Sequence, residues 1–327
     1  MKGQRGFVRT IVSIVLLLIA VWVFLNRQFV FDQLVVWQYR PTAPVEQVAA
    51  RAQFSDAGKF LFYASQPDLS NQASFNQHCK SQEEESVILG CYSAQRIYVY
   101  NVTDARLDGV KEVTAAHEML HAAYERLSKE ERQKIDSLLE AEMTHNTNKR
   151  LKERLKIYER TEPGQRDNEL HSILGTETAK LSSELEAYYK KYFTKRSAVV
   201  ALFNKYEAIF RDLEDQQTRL VSQLEAMAKE LKQRTSVYNA GITSLNNDIE
   251  VFNQKADTEG GFNSQGEFIA ARAALLSRQA ALETERTSLR ARIAQYNAKR
   301  KVLESLNLRA KELHNSLDST PAPVPAL

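Results

Sequence analysis

The chain has 327 residues, 43% of them hydrophobic and 26% charged, with Lys+Arg of 44 against Asp+Glu of 41 and a formal net charge of +3. That composition is ordinary for a folded protein and leaves room for one globular domain beside something extended. The charge is spread without a basic block or a glycine-aromatic pattern, which argues against a nucleic-acid partner.

Lys2, Arg5 and Arg9 precede an uncharged run from Thr10 to Asn26, IVSIVLLLIAVWVFL at its heart. The run meets the roughly 17 to 25 residues that a membrane helix needs, and its end, Val21-Trp22-Val23-Phe24-Leu25, lacks the small-x-small pattern of a cleaved signal peptide. Residues 1–27 are therefore expected to be a cytoplasmic stub and an uncleaved transmembrane helix. Basic residues before the helix place the N-terminus in the cytoplasm and the bulk of the chain outside. Residues 28–58 read as a juxtamembrane segment and linker. Phe29 to Tyr39 is amphipathic enough to lie at the membrane interface, Pro41 and Pro44 break it, and Glu46 to Gln53 forms a short helix.

Lys59–Ala64 (KFLFYA) and Arg96–Val102 (RIYVYNV) are rich in β-branched and aromatic residues and predict strands. Cys79 and Cys91 are the two cysteines of the chain, and on the outer side of a membrane an even pair predicts a disulfide.

From Lys111 the period becomes 3.6, with Val113, Ala116, Leu120, Tyr124 and Leu127 on one face. Ser128-Lys129-Glu130-Glu131 has the capping-box form and opens a second helix. A third covers about Lys149 to Tyr158. After Pro163-Gly164, Asp167 can cap a fourth that starts with Asn168-Glu169-Leu170-His171.

From about Ala198 the composition is that of a long helix. Leu213, Leu220, Leu224, Met227 and Leu231, then Tyr238, Ile242, Leu245, Ile249 and Phe252, recur at heptad spacing. A second arm carries Phe268, Leu275, Leu282, Leu289, Tyr296, Leu303, Ala310 and Leu317 at intervals of seven. The glycines at 260 and 261 mark a turn between the arms, so residues 198–317 predict an antiparallel coiled-coil hairpin on the order of 75 to 90 Å long. Such a hairpin suits a coiled-coil protein partner or self-association. Residues 318–327 are a Pro-rich tail expected to be disordered.

Chemistry concentrates in His117-Glu118-Met119-Leu120-His121. Histidines four residues apart share one helix face, so both imidazoles can reach one Zn²⁺ while Glu118 can touch a water there and act as general base. His78, His145 and His314 have no partner at ligand spacing.

The arrangement resembles the zincin superfamily of metallopeptidases over about residues 95 to 180. The resemblance implies that the strand before the motif helix is an edge strand to which an extended peptide adds, and that a third zinc ligand comes from elsewhere. Tyr124 and Leu127 stand where a metzincin-like chain needs glycine and histidine. Asn168-Glu169-Leu170-His171-Ser172 is similar to the Asn-Glu-x-x-Ser run of the gluzincin-like branch, which points to Glu169, with His171 and Glu177 as rivals; Ile173 replaces that branch's acidic residue.

The expected fold is therefore mainly α: an N-terminal transmembrane helix, a small α+β zincin-like domain over residues 59–197 and the long hairpin. The expected function is a membrane-anchored zinc metallopeptidase acting on a peptide or protein substrate. The alternative is a non-catalytic coiled-coil scaffold or envelope protein with a zincin-like binding domain.

Overall fold

The computed structural model describes residues 2–79, 88–161 and 164–319. They divide into two compact units, one of residues Met1–Ile209 with His314–Leu327 and the other of Phe210–Leu313. Among the described residues the protein is mainly helical with one three-stranded sheet. Residues 320–327, most of the predicted tail, lie outside the described residues.

In the first unit, α1 (Lys2–Leu25) exposes every described side chain from Val12 onward. Among the described residues no single helix is long and apolar enough to cross a membrane; Val12–Leu25 and Arg27–Gln38 are so together, bent by 84° at the break. The segment expected as a linker carries two packed helices, α2 (Arg27–Gln38) and α3 (Ala43–Arg51), which bury Asp32, Val35, Val45, Val48 and Ala49.

Lys59–Ala64, expected as a strand, belongs to α4 (Asp56–Ala64). Its aromatic content favours a strand, but the cap decides: Ser55 accepts a hydrogen bond from the Gly58 amide at 3.1 Å and Asp56 sits at the positive end of the helix dipole. Burial then falls on Gly58, Phe62 and Ala64, with Ser65 just past the end; Gly58, Phe62 and Ser65 follow at steps of four and three, the helical period.

The sheet contains β1 (Asp68–Ser70), β2 (Gly90–Ser93) and β3 (Arg96–Tyr100) in the order β1-β3-β2. The strand expected before the motif helix is present as β3. It is central and not an edge, paired parallel to β1 and antiparallel to β2, which leaves β2 as the outer strand. Ala94 and Gln95, with φ of 49° and 60°, make the tight turn between β2 and β3, since two positive φ angles match the twist of a hairpin. α5 (Gln72–His78) follows β1, and the predicted disulfide joins Cys79 at its end to Cys91 in β2, with Cα atoms 5.9 Å apart. Across a sequence separation of 12 the cross-link stabilises the fold by about 3 kcal/mol in the chain-entropy model.

The predicted helices then follow as α6 (Val110–Glu125), α7 (Lys129–His145), α8 (Lys149–Thr161) and α9 (Arg166–Glu177). The capping box at Ser128 is formed in both directions, at 3.2 and 2.9 Å. α9 opens at Arg166, before the expected Asp167 cap, and buries every residue from Glu169 to Thr176. α10 (Ser183–Tyr189) follows. The core joins Phe62, Ile97, Met119, Leu120, Leu139, Leu170, Ile173, Leu174 and Tyr189. An isolated antiparallel bridge between Phe54 and Phe193 closes it.

α11 (Arg196–Ala256) and α12 (Gln265–Leu317) are the two predicted arms. Within the second unit they pair antiparallel through Arg234 with Glu285 at 2.9 Å, Arg292 with Glu230 at 2.6 Å and Lys299 with Gln223 at 2.7 Å. Leu213, Leu224, Met227, Leu245, Leu289 and Leu306 are buried between them. The seam thus combines apolar and polar rows: Glu285, Arg292 and Lys299, two of them ion-paired and the third bonded to Gln223, repeat every seven residues alongside the predicted leucines. Phe252, Phe262 and Phe268, with ring centroids 5.2 to 5.3 Å apart, close the turn.

Candidate metal centre

α6 carries the motif because its sequence is apolar and small on nearly all sides. Ala115, Ala116, Met119, Leu120, Ala122 and Ala123 are all buried, so the helix runs through the domain with His117 and His121 on its one polar face. Its first turn is held from α3, where Arg51 bonds both Glu112 and Asp108 at 2.8 Å.

α9 crosses this helix at close range, and Gly175 is the reason. A Cβ there would lie 2.4 Å from Leu120 Cδ1 and 2.8 Å from Tyr189 Cε1. The approach brings Glu169 between the two histidines, with Oε2 3.4 Å from His117 Nε2 and Oε1 3.3 Å from His121 Nε2. His117, His121 and Glu169 together offer three ligand atoms within 4.8 Å of one another, and they are the one such cluster among the described residues.

The group fits a tetrahedral ion. Each histidine Nε2 lies 3.3 to 3.4 Å from a Glu169 oxygen, close to the about 3.3 Å between nitrogen and oxygen ligands of a tetrahedral zinc, and the three ligand atoms all lie within 4.8 Å of one another. Glu169 Oε2 is buried without a hydrogen bond, an arrangement costly for a carboxylate unless something else claims the oxygen. The outer partners fit as well. His121 Nδ1 lies 3.0 Å from Asn168 Oδ1 and 3.3 Å from Ser172 Oγ. The Asn168 amide is itself oriented by donating to Gln165 Oε1 at 3.2 Å, which turns its oxygen toward the imidazole. With that oxygen as acceptor, the pair is satisfied by the Nδ1–H tautomer, the one that would leave the Nε2 lone pair for an ion.

The same geometry sets the charges. Burial pushes Glu169 up, but His121, His117 and Arg154 outweigh it and hold the carboxyl below its ordinary value. Burial lowers His117, but Glu169, with Glu118 and Glu177 beyond it, leaves the imidazole above its ordinary value. In His121 burial prevails and the value falls.

Glu118, the expected general base, is 5% exposed and lies against the start of β2. A Cβ on Gly90 would meet its Oε1 at 2.7 Å, so glycine is what lets the outer strand run over this carboxylate.

Neither rival ligand joins the cluster. His171 points into a tyrosine nest, with Nε2 2.9 Å from Tyr188 Oη and the Tyr189 hydroxyl donating to its carbonyl at 2.7 Å; burial pushes the imidazole down to about 3. It fails because His171 lies two residues from Glu169, about 200° round the helix. Glu177 is engaged by Arg154 of α8.

Sequence reasoning did not find Asn168 and Ser172 as partners of His121, and it could not choose among Tyr124, Tyr158, Tyr188 and Tyr189 as oxyanion donors. The signal was available for the first two, since they flank Glu169 one helical turn apart. Tyr158 lies one turn from Arg154 on α8, which packs on α9. Burial, then Glu169, with Glu118 further off, keeps its phenol protonated far above neutral pH. By contrast Tyr124 is bonded to Asp136 at 2.8 Å, and Tyr188 and Tyr189 to His171.

No protein-family model matches the chain, and searches of curated proteins and of solved structures return no match.

Proposed function

We propose that the protein is a membrane-anchored, extracytoplasmic zinc metallopeptidase of the zincin type. The observation that carries this reading is the convergence of His117, His121 and the Glu169 carboxylate, with ligand atoms within 4.8 Å of one another, in a chain segment that also buries Glu118.

His117, His121 and Glu169 would hold the ion, and Asn168 and Ser172 keep His121 in the tautomer that can bind it. Zinc bound there supplies Lewis acidity, making water acidic enough to lose a proton near neutral pH. Glu118 takes that proton at its carboxylate and returns it to the leaving amine. Tyr158 of α8, which packs on α9 and whose phenol feels both Glu169 and Glu118, would be the donor toward the developing oxyanion. Three protein ligands, and no fourth among the described residues, favour a catalytic over a closed structural site.

Two features support the anchor. α1 has 24 residues, on the order of 36 Å of helix, and its described side chains are uncovered and, Ser13 apart, apolar. The disulfide suits an oxidising compartment. A second reading, a coiled-coil scaffold with a zincin-like binding domain, is favoured by the hairpin, whose long arms contribute no residue to the metal cluster.

Metal content and turnover of a generic peptide library, measured on the native chain, His121→Ala and Glu118→Gln, separate the readings. His121→Ala should lose zinc. Glu118→Gln should keep zinc and lose on the order of 10²- to 10⁴-fold in hydrolysis, because an amide cannot take the proton. A Glu118→Gln protein that cleaves like the native one refutes the mechanism, and a native protein that holds zinc but cleaves nothing returns the scaffold reading.

A further inference from the structure

α2 carries its polarity inside out. A helix on the surface of a soluble domain turns an apolar stripe inward and polar residues outward. Here the inward side holds Asp32, 2% exposed, which accepts hydrogen bonds from Arg126 at 2.8 and 2.9 Å and from Gln28 at 3.0 Å. The exposed large apolar residues are Phe29, Phe31, Leu34 and Trp37, at 52%, 52%, 47% and 66%, with Arg27 and Gln38 exposed at the two ends of the helix and the Phe29 ring 5.9 Å from that of Phe60. At about 100° per residue, Asp32 and Val35 share one side, Leu34 and Trp37 share the opposite side, and Phe29 and Phe31 lie between them, one on each flank of the helix. The outward face is therefore more apolar than the buried one, and an exposed patch of that kind marks a surface with a partner.

The partner is indicated by what precedes it. α1 is uncovered and, Ser13 apart, apolar along its described length, and after the single residue Asn26 the chain turns by 84° into α2. A helix crossing a bilayer, followed at nearly a right angle by one with an apolar outer face and a tryptophan, is the geometry of a helix lying in the lipid interface. We infer that α2 lies in the headgroup region of the membrane crossed by α1, with Leu34 and Trp37 turned toward the acyl chains. The inference rests on the anchored reading above.

The consequence concerns the metal cluster. Arg126 is the residue that ends the motif helix, and it ties that helix to Asp32 on the lipid-seated one. His121 lies five residues from Arg126, about 7.5 Å along the axis; adding the span of the two side chains and one helix diameter keeps the cluster within on the order of 30 Å of lipid. The substrates that reach it are then chains held at or close to the membrane.

Trp22 in α1 and Trp37 in α2 are the two tryptophans of the chain, which makes the test direct. The full chain is reconstituted into phosphatidylcholine vesicles carrying a nitroxide near the headgroup or near the chain end. It is studied as Trp22→Phe, which reports Trp37, and as Trp37→Phe, which reports Trp22. Trp37 should lose most of its emission to the shallow nitroxide, less to the deep one and little to aqueous iodide. If Trp22 is quenched by lipid while Trp37 stays open to iodide, the inference fails and the anchor stands. If neither is quenched by lipid, the anchor fails with it. A Trp37 shielded from iodide yet untouched by nitroxide lipid is covered by protein, a second copy or a partner, and also overturns the inference.

Discussion

Asn168→Ala tests the metal site through a residue that touches neither ion nor substrate. The amide oxygen 3.0 Å from His121 Nδ1 fixes the imidazole's proton on that nitrogen, which keeps Nε2 free for the ion. Outer partners of this kind are worth about 10- to 100-fold in metal affinity. Ser172 Oγ, 3.3 Å from the same nitrogen, stays in place and can accept in its turn. The single change should therefore fall at the low end, about tenfold or about 1.4 kcal/mol. Asn168→Ala with Ser172→Ala removes both acceptors and should approach 100-fold, about 2.7 kcal/mol. Zinc affinity of the detergent-solubilised full chain, measured by competition with a fluorescent chelator, reads the effect, and thermal melting of the metal-free protein controls for folding. Native affinity in the double variant would refute the reasoning, as would a metal-free melt lowered as far as that of the zinc-loaded protein.

Breaking the Asp32–Arg126 pair should destabilise the first unit by about 3 to 5 kcal/mol in thermal or urea unfolding, with Arg126→Ala worse than Asp32→Ala. Without Arg126 the buried Asp32 keeps only Gln28, whereas Arg126 without Asp32 still bonds Tyr92 Oη and the Ala122 carbonyl. Equal small losses would mean that the pair is solvated. Gly175→Ala should cost about 1 to 3 kcal/mol by overpacking and also weaken zinc, since α9 must move off α6 and take Glu169 with it; unchanged affinity would show that the crossing does not set the site. Asp108 is held below its ordinary value of 3.8, first by Lys205 and then by Arg51. A depressed carboxyl stabilises the fold above its unfolded value and loses that contribution as pH falls through the folded one, so Asp108→Asn should flatten the acid limb of a melting-temperature profile below about pH 4. An unchanged limb would remove Asp108 from the acid response.

Local spacing settled much in advance. Two histidines four residues apart on a helix must share a face, so His117 and His121 were paired before any tertiary contact was known. The Ser128 capping box, the two long arms and the Cys79–Cys91 bridge were equally legible, because each depends on neighbours in sequence or on there being no other cysteine. The conflict at Lys59–Ala64 was also local: strand-forming side chains met a helix cap, and burial of one helical face decided between them.

The third ligand was of another kind. Glu169, His171 and Glu177 are spaced along one helix that is buried nearly all round, so no apolar stripe announces which side meets α6. Only the crossing allowed by Gly175 puts Glu169 between the histidines, sends His171 to the tyrosines and leaves Glu177 to Arg154. The centrality of β3 and the polarity of α2 were hidden for the same reason. Strand order and the inward face of a helix are set by partners far along the chain, Cys91 through β2 in one case and Arg126 in the other, and no local period encodes such partners.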